Sequence, residues 1–214
     1  MSDIVLLGAP GSGKGTQASR IAAQQRWVHI STGDLFRMHL ANETPLGMLA
    51  KSYLDKGDLV PDEVTVDMVR HRLERVPPDA RVIYDGFPRT VRQAEALDEL
   101  LQQMGRSLAG AVLLDVPREE LVRRMTKRAT CVNCQTVYSL DTQPPKKPGI
   151  CDKCGGRVVQ RSDEAPEIIE RRLDVYERQT KPLVDLYAQR RGLRRVDGTG
   201  TLEEVGRRVA DAFK

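Results

Sequence analysis

Aromatic side chains are scarce: three Phe, five Tyr and one Trp make up 4% of a 214-residue chain. Proteins that bind single-stranded nucleic acid stack bases on aromatic platforms, so this shortage speaks against that class. Blocks of like charge are also missing. Lys and Arg exceed Asp and Glu by 34 to 30, a net charge of +4, too weak and too dispersed for a polycationic tail. No stretch approaches the length of apolar sequence that crosses a bilayer. The N-terminus carries only the apolar run Ile4 to Leu7 after an acidic Asp3, where a secretory signal needs a basic start and a longer apolar core. A cytoplasmic protein is expected, monomeric and with neither membrane nor nucleic acid as partner. Cysteine is rare as well, with four in total, all between positions 131 and 154. A chain of this length buries about 70% of its unfolded surface and needs no disulfide to hold together.

What is present reads as alternating strands and helices. Residues 3–7 (DIVLL) form a short β-branched, apolar run stopped by Gly8, as expected of a buried strand. Helical spacing follows from about 14 to 25, then a second strand near 27–30. Two brief helices fit residues 31–60. A longer helix over 61–76 opens on Pro61-Asp62-Glu63, which suits a first turn because Pro lacks only an orphan N–H and acids complement the dipole. Strand three is read at 81–85, a helix at 90–104, strand four at 111–115, and a helix from 117 that carries Arg124 and Arg128 on one face. Helical periodicity stops near 131. A compact β-rich insert is expected to about 160, then one long helix over 166–190, a fifth strand at 193–196 and a C-terminal helix. The prediction is α/β, a doubly wound five-stranded parallel sheet with two small inserts.

Gly8-Ala-Pro-Gly11-Ser12-Gly13-Lys14-Gly15-Thr16 lies between the first strand and its helix, the context in which a glycine pattern becomes a phosphate cradle. Glycines let successive N–H groups point inward, the helix N-terminus adds positive potential, and Lys14 reaches the outer phosphates. One departure stands out. Gly15 follows Lys14 where Ser or Thr usually touches Mg²⁺, and Thr16 comes one place later. Beyond the cradle, strand two ends in Ser31-Thr32-Gly33-Asp34 with Arg37 behind it, and strand three ends in Asp85-Gly86-Phe87-Pro88-Arg89 with Gln93 one turn on. Each places an Arg over the same end of the sheet. The three histidines, at 29, 39 and 71, share no spacing and receive no role.

Cys131-x-x-Cys134 and Cys151-x-x-Cys154 have the paired spacing of a four-thiolate zinc site. Four thiolates leave no open position, so the Zn²⁺ would be structural and would stabilise an insert too small for a core of its own. Two disulfides or a rubredoxin-like iron are the rival readings.

GAPGSGKGT, STGD, GDLVP, YDGFPRT and VDGTG, in this order over nearly the whole chain, resemble the nucleoside monophosphate kinases, most closely the bacterial-type adenylate kinases with a long lid. The resemblance implies a P-loop NTPase-type core of residues 1–30, 61–126 and 165–214, a helical NMP-binding insert at 31–60 and a zinc-binding lid at 127–164. It implies phosphoryl transfer from ATP to AMP, with Mg²⁺ accompanying ATP. ATP would be held by Gly11, Ser12, Gly13, Lys14, Gly15 and Thr16, with Arg128 on its phosphates and Val137, Tyr138 and Gly200 beside its base. AMP would meet Thr32, Arg37, Asp58, Leu59, Val60, Gly86, Phe87, Pro88, Arg89, Gln93, Arg161 and Arg172. Arg124, Arg128, Arg161 and Arg172 would grip the transferring phosphates, and Asp85 would hold water around Mg²⁺. The acceptor is already an anionic phosphate oxygen, so no strong general base is required. Closure of the two inserts would assemble the arginines and exclude water. A kinase of other base specificity (GTP:AMP, or UMP/CMP) is the nearest alternative, and a zinc-ribbon nucleic-acid-binding ATPase a remote one.

Overall fold

The computed structural model describes residues 2–190 and 192–213. From the N-terminus run β1 (Ser2–Leu7), α1 (Lys14–Gln25), β2 (Val28–Ser31), α2 (Thr32–Ala41), α3 (Pro45–Leu54), α4 (Asp62–Leu73), β3 (Val82–Asp85), α5 (Val91–Gln103), β4 (Ser107–Asp115) and α6 (Arg118–Thr126). There follow β5 (Arg128–Cys131), β6 (Val137–Ser139), β7 (Val158–Val159), α7 (Pro166–Val175), α8 (Pro182–Arg190), β8 (Leu193–Asp197) and α9 (Leu202–Asp211).

Five strands form one sheet in the order β2-β3-β1-β4-β8, all parallel. The period of two decides which helices cover which face. Val5 and Leu7 point to one side, with Tyr84, Ala111 and Leu113, and are covered by Val69 and Leu73 of α4, Leu97 and Leu101 of α5 and Leu183 of α8. Leu6, Ile83, Val112, Leu114 and Val196 point to the other and are covered by Ala18 and Ile21 of α1 and Val205 and Val209 of α9. Helices on both faces make the sheet doubly wound, as the sequence predicts, and direct binding groups to the carboxyl ends of the strands.

The amino ends are closed by a buried ion pair. Asp3, with no exposed surface, accepts from Val82 N at 3.0 Å, Tyr84 Oη at 2.9 Å and both Nε and Nη2 of Arg106 at 3.0 and 2.7 Å. Arg106 also donates to Ala80 O at 2.6 Å. Burial, first, and then the Asp3 charge push the Tyr84 phenol far above its ordinary value, so it stays protonated and donates to Asp3. Nearby, Trp27 lies edge-on to Phe213, with the Arg81 guanidinium over its ring at 4.3 Å.

Three details differ from the sequence reading. The fourth strand begins at Ser107 rather than 111, because Ser2 and Asp3 offer β1 positions to pair with Ser107 and Leu108. The stretch from 166 to 190 is not one regular α-helix: residues Tyr176–Thr180 widen into a π turn, and Lys181 N bonds Tyr176 O at 2.9 Å. Pro182 brings no N–H to the ladder, which favours such a break. Arg128 is not on the helix with Arg124. The helix α6 stops at Thr126, whose hydroxyl turns back onto Val122 O and Arg123 O, and Arg128 opens β5.

β5, β6 and β7 form a separate antiparallel sheet in the order β6-β5-β7. Its core is small, comprising Ala129, Cys131, Tyr138, Cys151 and Val158. No described helix is long and apolar enough to cross a membrane.

Candidate active site

The loop between β1 and α1 is bent by glycines at positive φ: Gly8 at 145°, Gly11 at 83° and Gly13 at 93°. A Cβ at Gly8 would lie 2.7 Å from Ser12 Oγ and 2.8 Å from Leu114 O, so the loop closes over the sheet only without a side chain there. Lys14 opens α1 and its ammonium spans the loop, donating to Gly8 O at 2.6 Å and Ala9 O at 2.9 Å. Burial lowers its pKa to about 8. Asp85 opposes this shift, while Arg89, Arg128 and Arg172 add to it.

Asp85 ends β3 directly beside the first turn of α1. Its Oδ2 lies 3.1 Å from where a Cβ at Gly15 would stand. A side chain there would ask the carboxylate to give way by a few tenths of an ångström, room that glycine leaves free. Thr16 is exposed. Burial raises the Asp85 pKa, but the hydrogen bond from His29 and the charges of Lys14 and Arg89 outweigh it and leave the carboxyl below its ordinary value. Gly15→Ser is therefore expected to shift the carboxylate relative to His29 and lower turnover about tenfold, since small misplacements of groups at a reacting site are costly. A magnesium titration of activity checks this, and an unchanged magnesium optimum with unchanged turnover would contradict it.

His29 is the residue that sequence reasoning missed. Its Nε2 lies 3.3 Å from Asp85 Oδ2, and its Nδ1 lies 3.2 Å from Ser19 Oγ. A carboxylate only accepts, so the protonated nitrogen is Nε2, and in the neutral ring Nδ1 accepts from Ser19. The signal in the sequence was its place on a strand adjacent to the one ending in Asp85. Strand pairing supplies it: His29 and Ile83 are register partners. His39 bonds Thr44 and His71 is exposed among acidic side chains.

On the other side of the sheet's carboxyl end, Ser31 caps α2 by accepting from Asp34 N. Thr32 Oγ1 donates to Gly86 O at 2.7 Å, and Arg89 Nε donates to the same oxygen at 2.8 Å. The turn at Gly86 thus ties together both segments singled out in the sequence. Gln93, fully buried, accepts from Arg89 N at 2.8 Å and donates to Asp62 Oδ1 at 2.7 Å; one N–H and one lone pair of its amide remain. Phe87 sits in the main core, so only its main chain faces this region. Val60 packs with Phe36, Ala50 and Met68. Asp58 holds Arg171 at 2.7 Å, and Gly57, at φ 76°, presses against Arg172 and Ile168 of α7.

The arginines converge from three parts of the chain. Arg37 comes from α2, Arg128 from the start of β5, the central strand of the small sheet, Arg161 from just beyond its edge strand β7, and Arg89 and Arg172 from the main body. Each depresses the basicity of another. Arg89, lowered first by burial, is lowered further by Arg172 and Arg37. Arg128 is lowered by burial and then by Arg161, Arg172 and Arg37. Burial also lowers Arg161 and Arg172, with Arg37 adding to both. Few carboxylates balance them: Asp34 on Arg37, Glu164 on Arg128, and Asp163 on Arg172 at 2.9 Å. Arg37 Nε, Arg128 Nε and Glu164 Oε2 are buried with no hydrogen-bond partner. The two guanidinium N–H groups left over in this way, in a cluster with an excess of positive charge, fit a polyanion, while the spare Glu164 oxygen is an acceptor. Arg124 is bonded to Glu120 and donates to Ser12 O at 3.5 Å and to Gly198 O at 3.0 Å, and so bridges the loop after β1 to the turn that contains Gly200.

In the small sheet, the four Cys sulfurs lie within 4.8 Å of one another, with Cys131–Cys154 and Cys134–Cys151 each at 3.5 Å. Tetrahedral thiolates about 2.3 Å from zinc stand about 3.8 Å apart, so the donor set fits. No disulfide joins them. The two knuckles repeat one hydrogen-bond pattern. Cys131 N donates to Thr136 O and Gln135 N to Cys131 O; Cys151 N donates to Gly156 O and Gly155 N to Cys151 O. Gln135 and Gly155 both take positive φ. Val137 is exposed on β6, whereas the Tyr138 ring is buried in the core of this sheet.

The family model described as Adenylate kinase matches residues 6–192. An adenylate kinase of Carboxydothermus hydrogenoformans is 48% identical over 211 residues, 99% of each chain. One of Clostridium perfringens is 50% identical over 202 residues, 94% of each chain, and one of Clostridium tetani is 48% identical over 211 residues, 99% of this chain and 98% of the relative.

Proposed function

This chain belongs to the adenylate kinase family, and from that premise we propose how its residues carry out the family's reaction, ATP + AMP ⇌ 2 ADP. ATP is held by the loop at Gly11, Ser12 and Gly13 and by Lys14, Gly15 and Thr16, with its base near Val137, the main chain of Tyr138, and Gly200. AMP enters opposite, between Thr32, Arg37, the main chain at Asp58, Leu59, Val60, Gly86, Phe87, Pro88, Arg89 and Gln93. The observation that carries this reading is the meeting of Arg37, Arg89, Arg128, Arg161 and Arg172 on the side of the phosphate loop where Lys14 and Asp85 stand.

The nucleophile is a phosphate oxygen of AMP, so the residues supply position and charge rather than a base. Arg89 and Arg37 orient the acceptor phosphate. Lys14, Arg124, Arg128, Arg161 and Arg172 hold the donor phosphates and balance the charge that spreads over the equatorial oxygens during in-line transfer. Mg²⁺, when bound with ATP, neutralises charge on the phosphate oxygens, and Asp85 fits the task of holding its water because it stays ionised. The segments 31–60 and 127–164 act as closing inserts that keep water away from the transferring group. The four-cysteine cluster holds a structural zinc and takes no part in the chemistry.

Mg-ATP offered separately with AMP, UMP, CMP and GMP tests the proposal. Diphosphate formation is expected with AMP and ATP consumption is expected to depend strictly on it. Preference for another monophosphate would move the assignment of the acceptor pocket, and AMP-independent ATP hydrolysis stimulated by oligonucleotides would overturn the reading.

A further inference from the structure

The two knuckles share their main-chain pattern, but their sulfur environments differ, and the difference lies in side chains that the four-cysteine motif does not include. Tyr138 reaches the second knuckle from β6, the strand paired with β5 through Ala129. Its hydroxyl donates to Cys151 Sγ at 3.3 Å and accepts from Asp152 N at 2.8 Å. Asp152 in turn accepts from Lys146 N at 3.0 Å through Oδ1. The ring is 8% exposed and packs with Ala129, Cys131, Cys151 and Val158.

A buried phenol must find polar partners, and any carbonyl would serve as its acceptor. This one instead takes a ligand sulfur and the amide that follows it. The hydroxyl thereby fixes two things at once: the direction of the Cys151 sulfur and the path of the chain leaving it. On the first knuckle the side-chain contact goes to the second cysteine and comes from Thr136, whose Oγ1 lies 3.1 Å from Cys134 Sγ. Thr136 and Tyr138 flank the exposed Val137 on the same strand edge, so one short segment attends both knuckles.

We propose that Tyr138 is a positioning residue of the metal centre, its hydroxyl donating to the Cys151 thiolate and clasping the second knuckle through Asp152 N. The proposal rests on the four-thiolate metal reading above. Outer groups that orient metal ligands contribute typically 10–100-fold to affinity, and a hydrogen bond to a thiolate stabilises the sulfur lone pairs from which charge transfer to a metal departs.

Tyr138→Phe keeps the ring in the small core and removes only the hydroxyl. Metal affinity of the full chain is measured by chelator competition with Zn²⁺. The position of the sulfur-to-metal charge-transfer band is read after loading with Co²⁺, and thermal unfolding of the main body serves as a control of folding. The expected result is about tenfold or greater loss of affinity together with a shift of the band to lower energy. Unchanged affinity with an unmoved band overturns the proposal and leaves the metal site standing. Weaker affinity with an unmoved band also overturns it, because the hydroxyl then acts on lid packing and not on sulfur. Failure of the unsubstituted protein to bind Zn²⁺ or Co²⁺ overturns the metal reading itself.

Discussion

Arg89→Ala is expected to lower kcat/KM for diphosphate formation by about 10³-fold, the scale on which a transition-state arginine acts in phosphoryl transfer. Arg89 is the arginine least free to be replaced by a neighbour. It leaves the carboxyl end of β3 through the Gly86 turn, its Nε is fixed on Gly86 O at 2.8 Å and its main-chain N on Gln93 Oε1 at 2.8 Å. The terminal nitrogens are thereby aimed from the end of a central strand of the main sheet, while Arg37 comes from α2 and Arg128 from the separate small sheet. Arg89→Lys restores charge but not the planar fork, so it should recover only a small part of the loss. Steady-state kinetics with AMP varied at saturating Mg-ATP separates the possibilities. A rise in KM with kcat unchanged would assign Arg89 to uniform binding, and a change of less than tenfold in kcat/KM would remove it from the reacting centre.

Asp3→Ala should have the largest effect on stability, about 3–5 kcal/mol, because it leaves the Arg106 charge buried with no counter-ion. Arg106 is 7% exposed and Asp3 fully enclosed. Val82 N and Tyr84 Oη lose an acceptor in the same change. For a chain of this size each kcal/mol moves the midpoint by about 2–4 °C, so the melting temperature should fall by roughly 6–20 °C. The network lies at the amino ends of the strands, far from the cationic cluster, so activity at low temperature should survive. A urea transition displaced by less than about 1 kcal/mol would show that relaxation or water replaces the pair. A matched loss of low-temperature activity would show that the two ends of the sheet are coupled.

The parts of the molecule that the sequence revealed are those specified by neighbours along the chain. The DIVLL run, the glycine loop and Lys14 follow one another directly, and so do both halves of the cysteine motif. Apolar spacing located the helices that cover the sheet. What escaped was specified across the chain. His29 meets Asp85 only because two strands pair in parallel, and Asp58 meets Arg171 only because the return of one insert crosses α7. Arg128 had the right spacing for a helix face, yet the turn at Thr126 and Lys127 releases it onto a strand. The Tyr138 ring was read as a neighbour of the nucleotide base, because its place in a motif says nothing about the side to which a strand turns its side chain. Glu164 is likewise buried against Arg128, thirty-six positions away in the chain.

Five guanidinium groups gathered with so few acids repel one another, and the repulsion adds to burial in lowering Arg89, Arg128, Arg161 and Arg172. A ligand that carries negative charge relieves this repulsion, and a bare nucleoside, however well its base fits, does not. Affinity is therefore expected to rise with the number of phosphates a nucleotide brings.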